Sequence, residues 1–161
     1  MMIYLVKIVI LIFGSVVLQI SLIAKISIFG SSPDLPLAFV LALALFRGSF
    51  HGEIAGFVTG ILSDAFSGGL LGLQAISKLI SGFCAGLLRG RLYSDNVITQ
   101  FLAGFVGTIL NKLVEVVYLV IFFNRQYLNY KISGLIIVAA INSFMVIMVY
   151  WLLKRIIRAQ K

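Results

Sequence analysis

Residues 97–123 read VITQFLAGFVGTILNKLVEVVYLVIFF. A helix needs about 20 mainly apolar residues to cross the hydrocarbon core of a bilayer, and this run is longer while carrying a single cation and a single anion, Lys112 and Glu115. Those two charges stand three residues apart on one helical face, so each can neutralise the other locally. Outward from this run the same apolar texture returns in five more segments. They are Leu5 to Ala24, Pro33 to Phe46, Gly52 to Phe66, Leu70 to Leu88, and Ile132 to Leu153. The second and third segments are short: about 14 or 15 residues make roughly 21 to 23 Å of helix against a core of about 30 Å. They either thin the membrane locally or re-enter it.

Composition supports the same class. Of 161 residues, 61% are hydrophobic and 11% charged, where a soluble domain carries about a quarter charged residues. The fold class is therefore an all-α integral membrane protein, a bundle of about six transmembrane helices. Residues 1–153 form a single helical domain and residues 154–161 a basic tail. The amino end lacks a small-x-small cleavage site and reads as a retained span. The last stretch of the chain, LLKRIIRAQK, would be attracted to anionic membrane lipid.

Several chemistries are excluded. One cysteine, Cys84, allows no internal disulfide, and one histidine, His51, allows no multi-histidine metal site. Cys84 has no neighbouring base, so nucleophilic catalysis has no footing. His51, in a loop between Arg47 and Glu53, reads as solvated. The glycines run at helix spacing rather than as a phosphate-binding loop. No metal, cofactor or catalytic residue is expected. Nucleic acid is excluded as a partner despite the net charge of +8, because the cations flank apolar segments instead of forming a solvent-facing patch.

Orientation follows from those cations, since Lys and Arg near short loops stay on the cytoplasmic side. With six spans both ends share one side. That side holds Lys7, Arg47, Arg89, Arg91, Lys154, Arg155, Arg158 and Lys161, and the opposite loops hold Lys25, Arg125 and Lys131. Both termini are expected in the cytoplasm.

The most regular pattern is a ladder of small residues. Gly48, Gly52, Gly56 and Gly60 recur at four-residue steps, Asp64, Gly68 and Gly72 continue the count, and Gly82, Gly86 and Gly90 make a second ladder. Four residues return to nearly the same helix face, leaving bare backbone along which another helix can approach. Gly52, Gly56, Gly60, Gly72, Gly82 and Gly86 are therefore helix-packing candidates, for each other across a tight hairpin at Ser67-Gly68-Gly69 or for a partner's transmembrane helix. Ala38 and Ala42 offer a weaker face of the same kind.

Charges inside a membrane cost about 2.5 to 3.5 kcal/mol each on insertion scales, so each needs a partner or a task. Lys78 has no acid within a turn on its own helix and is expected to find Asp64 or Glu115 across the bundle. Gln74, Asn111 and Asn142 would extend a polar interior by bonding between helices.

At residues 56–90, GFVTGILSDAFSGGLLGLQAISKLISGFCAGLLRG, the sequence resembles the rod shape-determining protein MreD family of bacteria. The resemblance is carried by Gly60, Ile61, Leu62 and Asp64 at one helix end and by Leu71, Gly72, Leu73 and Ala75 opening the next. Lys78 and the Lys112/Glu115 pair lie outside that motif. The resemblance implies a non-enzymatic scaffold subunit of the cell-elongation machinery in the cytoplasmic membrane. It implies MreC-like, MreB-like, RodA-like and penicillin-binding transpeptidase partners. It also implies a fold similar to the six-helix substrate-binding subunits of energy-coupling-factor transporters. The alternative reading is a small-solute binding subunit of such a transporter, with Asp64, Gln74, Lys78, Asn111 and Glu115 around a polar cavity.

Overall fold

Pro33-Asp34-Leu35-Pro36 starts the helix on which the rest of the molecule is built. Asp34 is its N-cap, accepting the backbone N–H of Leu37 at 2.8 Å, and Pro36 sits in the first turn, where a missing N–H costs nothing. The structure is a computed structural model and describes residues 2–21, 32–68, 70–123 and 134–158. Six helices follow in order: α1 Met2–Ser21, α2 Leu35–Arg47, α3 Ser49–Ser67, α4 Leu73–Leu87, α5 Val97–Phe123 and α6 Leu135–Arg158. Each apolar segment of the sequence has a helix within its described residues. Lys25, Gly69, Arg125, Lys131 and Lys161 lie outside the described residues.

The second helix is the centre of the molecule. Every side chain from Pro36 to Leu45 is buried, and α2 touches each of the other five helices. Its sequence, LPLAFVLALALFR, is apolar on all sides, as a helix with neighbours all round must be. Its 13 residues reach only about 20 Å. Ala38 and Ala42 are fully buried in this core, so their small faces serve α2's own neighbours.

A single residue joins α2 to α3. Gly48 has φ of +97°, a conformation that side chains resist, and its N–H closes the end of α2 on Ala44 O at 2.7 Å. Because α3 begins at Ser49, His51 lies in its first turn, exposed, with its ring 5.9 Å from that of Phe50. The loop expected there is absent because one glycine completes the reversal.

The helices α3 and α4 form the most intimate pair. A methyl group on Gly56 would overlap the backbone of Lys78, one on Gly60 the backbone of Ala75, and one on Gly86 the backbone of Ser49. Gly52 and Gly82 face each other directly. The packing ladder is thus consumed inside the molecule, between the two arms of the expected hairpin. Gly68, Gly72 and Gly90 do not continue it along a helix: all three have positive φ and stand in turns or at the cap of α4. Two further glycines that the sequence pattern left unremarked do similar work, Gly104 against Ser143 of α6 and Gly107 against Leu41 of α2.

The longest helices, α5 and α6, contain apolar stretches at Val97–Phe122 and Leu135–Ile156 that are long enough to cross a membrane. The described beginning of the basic tail, through Arg158, is a continuation of α6. At that end Asp95 joins the α4–α5 connection to α6, accepting from Tyr150 Oη at 2.8 Å and pairing with Lys154 Nζ at 2.8 Å.

Beside the apolar core on α2, the outer surface is apolar as well, and several polar side chains are fully buried. Phe13, Ile98, Ile121, Phe144 and Met148 are exposed, whereas Lys78, Gln100, Asn111, Asn142 and Ser143 are fully buried. Apolar lipid as solvent accounts for both halves of that pattern.

Candidate functional site

The polar interior converges on the start of α2. Asp34 Oδ2 lies 2.7 Å from Nζ of Lys78, whose side chain is entirely buried halfway along α4. The same ammonium donates to Gln74 Oε1 at 2.9 Å, one turn earlier on α4. The backbone N–H of Asp34 donates to Asn142 Oδ1 at 3.0 Å, and Asn142 Nδ2 donates to Thr108 Oγ1 at 3.2 Å. From α1, Gln19 donates to Pro33 O at 2.8 Å and accepts from the N–H of Leu35 at 2.9 Å. One three-residue segment, Pro33 to Leu35, therefore collects bonds from α1, α4 and α6.

The partner expected for Lys78 is corrected. It is Asp34, which lies inside the Pro33 to Phe46 segment and is not among the intramembrane charges that the sequence singles out. The available signal was the Asp-Leu-Pro helix start, which marks an N-cap and hence a carboxylate held at a helix end. Asp64 is occupied otherwise. Its carboxylate accepts the backbone N–H groups of Gly72 at 2.8 Å, Gln74 at 3.1 Å and Ala75 at 3.3 Å. It caps α4 from the last turns of α3, satisfying donors that a helix N-terminus otherwise leaves open.

The second pair is the one the spacing predicts. Lys112 Nζ lies 2.8 Å from Glu115 Oε2, and Asn111 Nδ2 donates to Glu115 Oε1 at 2.7 Å. Glu115 thus pairs with Lys112 on its own helix rather than with Lys78.

Between the two ion pairs lies a cleft of about 340 Å³ where α1 ends and α2 and α4 begin, lined in part by Gln19, Asp34, Ser63, Gln74, Lys112 and Glu115. A second groove of about 290 Å³ is apolar, with Ile10, Gly14, Leu18, Phe39 and Leu152 on its walls. Among the described residues no group of His, Cys, Asp and Glu is placed to hold a metal.

The family model of the rod shape-determining protein MreD matches residues 1–156. The chain belongs to the MreD family. It is thus a bacterial membrane protein of rod-shape determination, in a family that is structural and not known for enzymes. No curated protein and no solved structure matches the chain. The likeness to energy-coupling-factor subunits accordingly has no structural match behind it, and the solute-transport alternative has no support.

The residues that carried the MreD resemblance have a physical reason to occur together. Gly60 lets α4 approach at Ala75, Asp64 caps α4 through Gly72, Gln74 and Ala75, and Gly72 adopts the positive φ that brings its N–H to Asp64. The MreD motif in this chain is a hairpin lock.

Proposed function

We propose that the protein is a non-enzymatic scaffold subunit of the cell-elongation machinery that builds peptidoglycan in rod-shaped bacteria. In this reading it is one helical domain of six membrane segments in the cytoplasmic membrane, similar in fold to energy-coupling-factor substrate-binding subunits. Both termini face the cytoplasm, on the eight-to-three distribution of cations. It binds an MreC-like partner and through it MreB-like, RodA-like and penicillin-binding transpeptidase proteins.

The observation that carries the reading is the locked α3–α4 hairpin. Its glycines and Asp64 are spent on internal packing, and its outer faces present Ile54, Phe57, Ile61 and Phe83, all exposed. A rigid apolar face is what a partner's transmembrane helix can pack against by van der Waals contact. The docking element is thus the hairpin that Gly52, Gly56, Gly60, Gly72, Gly82 and Gly86 hold together, rather than the glycines themselves.

Gentle purification of the tagged protein from native membranes, followed by mass spectrometry, tests this. Recovery of MreC-like and wall-synthesis proteins is expected, with a loss of several-fold for the Phe57→Ala/Ile61→Ala double variant. Their absence from the native preparation would overturn the assignment; full recovery with the variant would move the docking face elsewhere.

A further inference from the structure

The groove between α1 and α6 has hydrocarbon walls and cations at one end. Because α1 packs on α2 and α3 rather than along α6, a slot of about 290 Å³ stays open between the first and last helices. Phe39 of α2 and Leu153 of α6 are its buried floor, and Ile10, Leu18 and Leu152 are its exposed rims. Gly14 keeps the slot clear, since a methyl group there would meet nothing within 4 Å. Ser15, the polar residue on the wall, already donates its hydroxyl to Ile12 O at 2.7 Å.

The two ends of the slot differ. Gln19 of α1 and Asn142 of α6 both bond to the start of α2, and the ring of Phe46 near the finish of α2 lies 5.9 Å from that of Tyr150 on α6. Lys7 and Arg155 therefore share the other end, beside the finish of α2. Lys7 precedes Leu11 by four residues and Gly14 by seven, which puts it on the groove face of α1, and Arg155 follows Leu152 by three on α6. Among the described residues neither cation is paired with a carboxylate. Trp151 is exposed at the same end and is a residue type that collects at the level of lipid headgroups.

A partner helix is too large for this space. A helix about 10 Å across with a pitch of 5.4 Å fills about 400 Å³ per turn, and the stretch from Ile10 to Leu18 is about 12 Å long, or two turns. The slot holds less than one such turn. A single hydrocarbon chain, far thinner than a helix, fits. We infer that the groove seats an acyl chain of an anionic phospholipid, with the phosphate of its headgroup against Lys7 and Arg155. The chain exchanges one apolar medium for another, so van der Waals packing retains it and the charge of the headgroup selects it. One cation near an anionic membrane surface contributes about 1 kcal/mol, or about fivefold. The inference needs only the membrane setting and is independent of which protein the hairpin docks.

Native mass spectrometry of the full chain in a maltoside detergent, titrated with phosphatidylglycerol and with phosphatidylcholine of the same oleoyl chains, tests it. Phosphatidylglycerol is expected to bind at least fivefold more tightly. Lys7→Gln should remove most of that preference, and Gly14→Leu, which fills the slot from an open position, should weaken both lipids at least fivefold. Lys7→Gln leaves the groove walls as they are, so it keeps the test open if Gly14→Leu misfolds. Two controls separate the groove from general attraction to the protein. Arg91→Gln, at an exposed cation on the α4–α5 connection, and Val17→Leu, exposed on α1 outside the groove, should each bind as the parent does. A photoreactive benzophenone residue in place of Ile10 reads the occupant in native membranes and should crosslink to lipid. A crosslink to a second copy or to another protein overturns the inference. So do equal binding of the two lipids, parent-like binding by Lys7→Gln or Gly14→Leu, or an equal loss in either control.

Discussion

Asp34 Oδ2 and Lys78 Nζ meet at 2.7 Å across 44 residues of sequence, joining the start of the central helix to the middle of α4. The pair closes off a cation that is fully buried, and Asp34 at the same time starts α2 through its other oxygen. Removing one member therefore does more harm than removing both. Lys78→Met, which leaves the carboxylate uncompensated, is expected to lower stability by about 3–5 kcal/mol. Asp34→Asn/Lys78→Met, which keeps a capping side chain, should recover most of that loss. Thermal unfolding of the three proteins in the same detergent checks this; a single Lys78→Met variant as stable as the parent would refute it.

The glycines of α3 differ from Gly14 of α1 in what surrounds them. Gly56→Ala and Gly60→Ala place a methyl group onto α4 backbone and are expected to cost about 1–3 kcal/mol, with the leucine variants failing to accumulate as folded protein. Gly14 has nothing within 4 Å of the added methyl, so Gly14→Ala should be stabilising by about 0.8–1 kcal/mol through helix propensity. Fluorescence size-exclusion and melting curves read both directions in one series.

Asp64 accepts three backbone N–H groups, so its loss should be felt locally. Asp64→Ala is expected to cost about 0.5–2 kcal/mol and to accelerate amide hydrogen exchange at Gly72, Gln74 and Ala75 before any change in α5 or α6. Exchange mass spectrometry across residues 70–76 provides the comparison. Uniform acceleration over the whole chain would show that the carboxylate does more than cap α4.

Asp95 ties the α4–α5 connection to α6 by accepting from Tyr150 and Lys154. Because this site is partly exposed, Asp95→Ala should alter stability by about 1 kcal/mol or less. Its clearer signature is chemical. Lys154 should become more reactive toward an amine-acylating reagent, whereas buried Lys78 should stay unmodified in both proteins.

Much of this molecule was legible before any tertiary contact was known. Apolar runs bounded by turn residues and cations marked all six helices, because lipid demands long apolar surfaces and internally satisfied backbones wherever a chain crosses it. The Lys112–Glu115 pair was readable too, since both members sit on one helix and their spacing alone sets their distance. The hairpin of α3 and α4 was announced by glycines at four-residue steps, and the MreD family by the motif that locks it.

What the linear pattern could not distinguish was an apolar residue facing lipid from an apolar residue facing another helix. The sequence of α2 reads like a short span, yet it is the core, and Ala38 and Ala42 belong to that core instead of an open face. The fate of the isolated charges was equally hidden: Lys78 found Asp34 and not Asp64, and Asp64 turned inward to cap α4. In a bilayer, outward and inward environments are both apolar, so hydrophobic periodicity carries little information about which side is which. Only the three-dimensional meeting of helix ends decides which polar groups satisfy one another, because an ion pair depends on distances through space that residue spacing determines only within a single helix.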